Sequence, residues 1–119
     1  MTTQADTIYV EDLHAWAKGD LRNMAALQLL DASNLIAHHW IDQFIKATPW
    51  LHFDFDAMKR QLRRAPLGAG ERAVAEAALS LAGELDTDLG SIALSLDQDN
   101  LAALLDAIAL AGGKPEMRQ

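Results

Sequence analysis

"LRNMAALQLLDASNLIAHHWIDQFIKATP", Leu21 to Pro49, carries the longest run of apolar periodicity in the chain, and its folding decides what the remaining segments pack against. At about 100° per residue, Leu27, Leu30, Ile41, Phe44 and Ile45 project from one side of a helix, and Gln28, His39, Asp42 and Lys46 from another. Leu29, Ile36 and Trp40 widen the apolar side beyond half the circumference. A helix so apolar must be contacted by several neighbours. The stretch predicts one long central helix, about 21–47, closed at Thr48 because a residue before proline avoids the helical region. Asp20 is placed to cap it, after Gly19 ends a short helix over about Val10–Lys18.

The segments on either side also read as helices. Ala, Leu and Asp dominate, and Val occurs only at Val10 and Val74, so little of the β-branched material favoured in strands is present. Asp54 or Asp56 caps a third helix running to about Ala65, where Pro66 stops it. "PLGAG" is a turn, and "GAGER" starts a fourth helix over about Glu71–Ala82 that Gly83 ends. A short apolar piece, Leu89–Leu94, precedes a last helix over about Gln98–Ala111, capped by Asp97 or Asp99. Loops are short and periodicity resumes after each, so residues 1–119 read as a single all-α domain, a compact bundle of about five helices. Residues 1–9 and 114–119 read as flexible tails.

Composition excludes several classes of function. The 119 residues include no cysteine, which removes disulfide frameworks, thiolate metal sites and cysteine nucleophiles. The first residues lack a basic segment followed by an apolar one, and no run of apolar residues is long enough to span a membrane. A cytoplasmic location without membrane contact is the expectation.

"MKRQLRRAPLGAGER", Met58 to Arg72, concentrates charge of one sign. The chain carries a net charge of −7, yet Lys59, Arg60, Arg63, Arg64 and Arg72 are five of its ten basic residues. On a helix over 57–65 the first four of these lie opposite the stripe Phe55, Met58, Leu62 and Ala65. Four such cations on phosphates would give a salt slope of about −3.6. Against nucleic acid stand the overall acidity and the stretch Ala73–Gly113, which holds Glu76, Glu84, Asp86, Asp88, Asp97, Asp99 and Asp106 and no Lys or Arg. The ordinary alternative is a solvated helix face, partly paired with its own acids, where exposed pairs contribute about 0–1 kcal/mol each.

Other candidates are weaker. Asn34, His38 and Asp42 fall on one edge of the predicted helix with Asp31 near them, a set that a metal-dependent hydrolase could use. His38 and His39 would point about 100° apart on that helix, which suits no shared metal, and the HExxH spacing is missing. "DTDLGS" at 86–91 resembles the start of a calcium loop, but Gly90 stands where a ligand is needed, so it reads as an Asp-rich turn. No serine lies in a GxSxG elbow. Trp50, in "TPWLHFDF", either seals a corner between helices or anchors a partner. Leu35 and Leu110 fall outside the main apolar stripes and mark candidate surfaces for a homodimer.

These features predict a small non-catalytic protein-interaction module, an adaptor or an inhibitor acting by surface occlusion or acidic mimicry. Its partner-binding residues would be Lys59, Arg60, Arg63, Arg64 and Trp50, with no cofactor, no metal and another protein as partner. A nucleic-acid-binding regulator using the basic helix 57–65 is the alternative, and a helical metal-dependent hydrolase around His38 and Asp42 is the second.

Overall fold

The computed structural model describes residues 3–118, with side chains from residue 10 onward. Seven α-helices are present among the described residues: α1 (Thr3–Ala17), α2 (Leu21–Ala32), α3 (His39–Asp42), α4 (Phe55–Gln61), α5 (Ala69–Leu81), α6 (Leu89–Ser95) and α7 (Gln98–Ala111). Two short strands, β1 (Ile45–Lys46) and β2 (His52–Phe53), pair antiparallel, with Ile45 opposite Phe53 and Lys46 opposite His52. The class is all-α, with α2 at the centre, packed against α1, α5 and α7. Its Ala25, Ala26, Leu27, Leu29 and Leu30 are all buried, and the alanines let neighbouring helices approach closely. The radius of gyration, 13.4 Å, is that of a compact chain of this length.

The long helix expected over 21–47 is not formed. α2 stops at Ala32, and Asn34 adopts the left-handed conformation at φ 65°, ψ 7°. Residues Leu35–Ala37 make a 3₁₀ turn, α3 is one turn long, and the chain becomes extended at Ile45. The cause is local chemistry in "DASN". Ser33 Oγ donates to Leu30 O at 3.2 Å and accepts from Leu35 N at 3.4 Å, offering the backbone an alternative to the helical ladder. Asn tolerates the left-handed region better than most residues. His38 then caps α3, its Nδ1 accepting from Trp40 N at 3.1 Å, and Gln43 Nε2 donates to Trp40 O at 2.8 Å. The broad apolar circumference has a simple origin: the chain turns, so Leu35, Ile36, Trp40, Ile41 and Phe44 all reach the same core as α2 from a second direction.

The β-hairpin was not expected from so little β-branched material. Its loop, residues 47–51, contains the cis Thr48–Pro49 peptide and presents Trp50. Phe44 and Phe53 are both buried, with centroids 6.4 Å apart, and Phe53 also meets Phe55 at 4.6 Å. Asp54 N donates to Phe44 O at 2.8 Å, so the hairpin joins α3 to the start of α4.

Elsewhere the boundaries shift. α1 begins at Thr3, well before Val10, and residues 1, 2 and 119 of the expected tails lie outside the described residues. At the other end, Pro115–Arg118 form a 3₁₀ turn, and Arg118 Nε donates to Asp106 Oδ1 on α7 at 3.0 Å. Four helices are capped by aspartate: Asp20, Asp54, Asp88 and Asp97 accept from Asn23 N, Ala57 N, Ser91 N and Asn100 N at 3.1, 2.9, 3.2 and 2.8 Å. Part of the chain's acidity is therefore architectural, satisfying free amides and complementing helix dipoles.

Two apolar assignments on the flanks reverse. Leu35 is only 3% exposed, because the turn after Asn34 drives it into the core, and Leu110 packs against the core. On α7 the buried residues are Ala103, Leu104 and Ala107, while Leu105 and Ile108 remain 42% and 41% exposed. The candidate homodimer surface at Leu35 is thus covered within the chain, and that at Leu110 is partly so.

Candidate interaction groove

The basic helix is shorter than its sequence implies. α4 ends at Gln61, Leu62–Arg64 tighten into a 3₁₀ turn, and Ala65 is extended at φ −66°, ψ 137°, as a residue before proline should be. Leu62 is buried, and Lys59, Arg60, Arg63 and Arg64 are exposed. The chain then reverses through Pro66–Gly68 into α5, whose first turn is steadied by Glu71 Oε1 accepting from Gly68 N at 3.0 Å. One residue on, Arg72 turns back: Nη1 donates to Leu62 O at 2.6 Å and Nη2 to Ala65 O at 2.9 Å. The fork of the guanidinium spans two carbonyls at the end of this turn, adding a charged donor to the backbone N–H that each already accepts, from Ala65 at 3.1 Å and from Leu67 at 2.9 Å. Arg72 belongs to the frame of the patch.

The opposite wall comes from the end of α5 and the segment after it. α5 terminates in a Schellman arrangement, with Glu84 N donating to Leu79 O at 2.9 Å and Gly83 N to Ser80 O at 3.0 Å. Gly83 sits at φ 86°, and the Arg22 guanidinium lies so close above it that a Cβ there would be 2.8 Å from Nη2. Arg22 Nε also donates to Leu81 O at 3.1 Å, fastening α2 to this corner. The corner directs Leu85 back toward the core and Asp86–Asp88 along the side of α5.

Between these elements lies an open groove of about 440 Å³, lined by Lys59, Leu62 and Arg63 from the end of α4, by Arg72 and Glu76 one turn apart on α5, and by Leu85, Asp86, Thr87 and Asp88 from the segment after α5. Its size falls in the range of about 300–1,000 Å³ usual for ligand sites. Among the described residues, no ion pair within 4 Å crosses it. Asp88 is committed locally, its Oδ1 accepting from Ser91 N and its Oδ2 from Ser91 Oγ at 2.8 Å. The Ser91 hydroxyl bond, and then the backbone bond, hold the Asp88 carboxyl below its ordinary value. Among the described residues Lys59, Arg63, Glu76 and Asp86 make no such commitment, so the groove presents two cations from the end of α4 and two carboxylates, on α5 and beyond it, that are not paired with one another.

The other candidate residues are placed apart from it. Arg60 pairs with Asp56 along its own helix at 3.4 Å, and Arg64 is exposed outside the groove lining. Trp50 is 64% exposed on the hairpin loop, its ring 6.4 Å from that of His52, which lies 6.2 Å from Trp16. Trp50 therefore does not seal a helix corner; Trp40 fills that kind of role, buried edge-on against Phe44 at 4.8 Å.

The candidate hydrolase set is not assembled as the continuous helix would place it. Asn34 occupies the left-handed turn, Asp31 faces His14 Nε2 of α1 at 3.6 Å, and His38 Nε2 faces Glu71 of α5 at 4.0 Å. With Nδ1 accepting from Trp40 N, neutral His38 carries its proton on Nε2, toward that carboxylate. His38 and His39 do not diverge by a helical step; their rings stack at 4.7 Å with planes 22° apart, because His38 is the cap before α3. Among the described residues no group of three or more His, Asp or Glu side chains converges as metal ligands would, and no helix is long and apolar enough to cross a membrane.

Sequence reasoning found Lys59 and Arg63, and it named Glu76, Asp86 and Asp88 as members of an acidic stretch without placing them in one groove with the bases. The spacing of Arg72 and Glu76, one turn apart on α5, was the available signal. Leu85 and Asp86 carry none, since only the packing of the α5 corner brings them across from α4. Comparison with protein-family models, with curated proteins and with solved structures finds no match.

Proposed function

We propose that the chain is a non-catalytic protein-interaction module, an adaptor or an occluding inhibitor, that engages its partner through the groove between the end of α4, α5 and the segment 85–88. The observation that carries this reading is the pair of facing walls, Lys59 and Arg63 opposite Glu76 and Asp86, whose charges are not neutralised by one another. Uncompensated charges in a fixed pattern steer association with a complementary surface. The apolar floor of Leu62 and Leu85 adds area that a partner side chain would cover. Trp50, exposed and far from neutral in its hydrophobic content, is a second anchor of the kind that interfaces favour.

The same pattern disfavours nucleic acid. A phosphate backbone tracking Lys59 and Arg63 would meet Glu76 and Asp86 across the groove, and Arg72 is already held by two carbonyls. Simple acidic mimicry is weakened as well, because Asp88 and Asp97 serve as helix caps.

Affinity capture from a cell lysate tests the reading, comparing the wild-type chain with a variant in which Lys59, Arg60, Arg63 and Arg64 are changed to Glu. Circular dichroism first establishes that both are helical. A protein partner retained after nuclease treatment and lost from the variant is the expected result. Capture unaffected by the four reversals, or abolished by nuclease in the wild type, sinks it.

A further inference from the structure

Resting on that reading, we propose that the partner the groove accepts is a second copy of this chain. The argument is one of sign and symmetry. A polyanion set against Lys59 and Arg63 would be repelled by Glu76 and Asp86, and a polycation set against the acids would be repelled by the bases. A partner that satisfies both walls must carry both signs, side by side, at the same separation. The groove itself is such a surface. Turned by a two-fold axis through the boundary between its walls, it places the basic wall of one copy on the acidic wall of the other, twice over.

The charges required are in place and available. Lys59, Arg63 and Asp86 are exposed at the rim, and Glu76 is half-buried on α5 between them. Among the described residues none of these lies within 4 Å of an oppositely charged group, whereas Arg60 already has Asp56 and Arg118 already has Asp106. The long Lys59 and Arg63 side chains reach out of an open groove, so two copies facing each other fill the gap with these side chains. Leu62 and Leu85 of both copies are covered in the same step. Association by a few exposed ion pairs is weak and strongly screened, so a dimer that forms in the high micromolar range and dissolves in salt is the expectation.

Sedimentation equilibrium of the full chain tests this at about 50 mM and about 500 mM salt, over which the Debye length shortens about threefold. The wild type is expected to dimerise at low salt, with a dissociation constant raised at least about tenfold at high salt. Reversing one wall, Lys59→Glu with Arg63→Glu, or the other, Glu76→Lys with Asp86→Lys, should leave each variant monomeric alone. An equimolar mixture of the two should form a one-to-one heterodimer, because a groove acidic apart from the hydrogen-bonded Arg72 then meets one basic apart from the capping Asp88. Should the Lys at position 76 disturb α5 by circular dichroism, Glu76→Gln with Asp86→Asn replaces it, and weakening of the dimer is expected. A wild type that stays monomeric at low salt, a reversed variant that still dimerises, or a mixture of folded variants that fails to associate overturns the proposal. A wild type that is monomeric yet captures another protein through Lys59 and Arg63 removes the second copy and keeps the interaction function; loss of both removes the groove.

Discussion

At the first turn of α5 one guanidinium holds two elements together. Arg72 supplies second donors to Leu62 O and Ala65 O, each of which also accepts a backbone N–H, and hydrogen bonds to charged groups contribute about 1.5–3 kcal/mol at most where the acceptor keeps another donor. Arg72→Ala is expected to lower stability by about 2–3 kcal/mol in urea unfolding. Arg72→Lys should recover less than half, because a single ammonium cannot span two carbonyls in the way the planar fork does. Equal stability of the Lys variant and the wild type would show that only charge matters there. Asp88 gives the corresponding acid-range prediction. Its carboxyl is held below the ordinary 3.8 by Ser91, so its stabilising effect is fully present above that value and is lost as pH falls through the lowered folded value. The stability difference between wild type and Asp88→Asn should therefore shrink below about pH 4. A difference that stays constant down to acid unfolding would contradict the assigned bond.

At the scale of elements, the turn at Ser33–Asn34 is the decision that shapes the fold, and it makes a prediction whose sign is opposite in the two alternatives. In a continuous helix Asn34→Ala is the better substitution, since Gly costs about 1 kcal/mol relative to Ala in a helix interior. At the observed φ of 65° the order inverts: Asn34→Gly should be neutral or mildly stabilising and Asn34→Ala should cost about 1–2 kcal/mol. Thermal unfolding of the two variants settles which conformation is populated. The helices after Asp54 were legible in the sequence because each has its own punctuation: Asp54, Asp88 and Asp97 at their starts, Pro66 and Gly83 at stops. The stretch from Leu21 to Pro49 was not, because apolar residues that converge on one core from two directions give the same periodicity as one broad helix. Its one break signal, Ser-Asn after Asp31, is diluted by strong helix formers on both sides. The groove was half legible for a related reason. Its basic wall is local in sequence, whereas Asp86 is brought opposite by the Gly83 corner, which periodicity does not describe.

For the molecule as a whole, the buried side chains form one cluster in which Phe44 occupies the seam between the irregular segment 33–54 and the helices. Phe44 is wholly buried, takes the edge of Trp40 at 4.8 Å and faces Phe53, while its carbonyl accepts from Asp54 N. Removing such a ring leaves a cavity as well as lost transfer energy, and Phe→Ala changes in cores cost about 3–5 kcal/mol. Against a total of about 5–15 kcal/mol for an ordinary domain, Phe44→Ala should remove a large share of the stability and lower the denaturant midpoint accordingly. With Trp16 and Trp50 changed to Phe, the fluorescence of Trp40 reports on the seam and the helical ellipticity on α2, α5 and α7, so the two signals can be compared in one denaturant titration. If the cluster is a single cooperative unit, both transitions move to lower denaturant together in the Phe44→Ala variant and remain superimposable. A tryptophan transition that precedes the loss of ellipticity would mean that the segment 33–54 detaches while the α2–α5–α7 packing survives, and the groove, built on α4 and α5, would then have to be assigned to one part or the other.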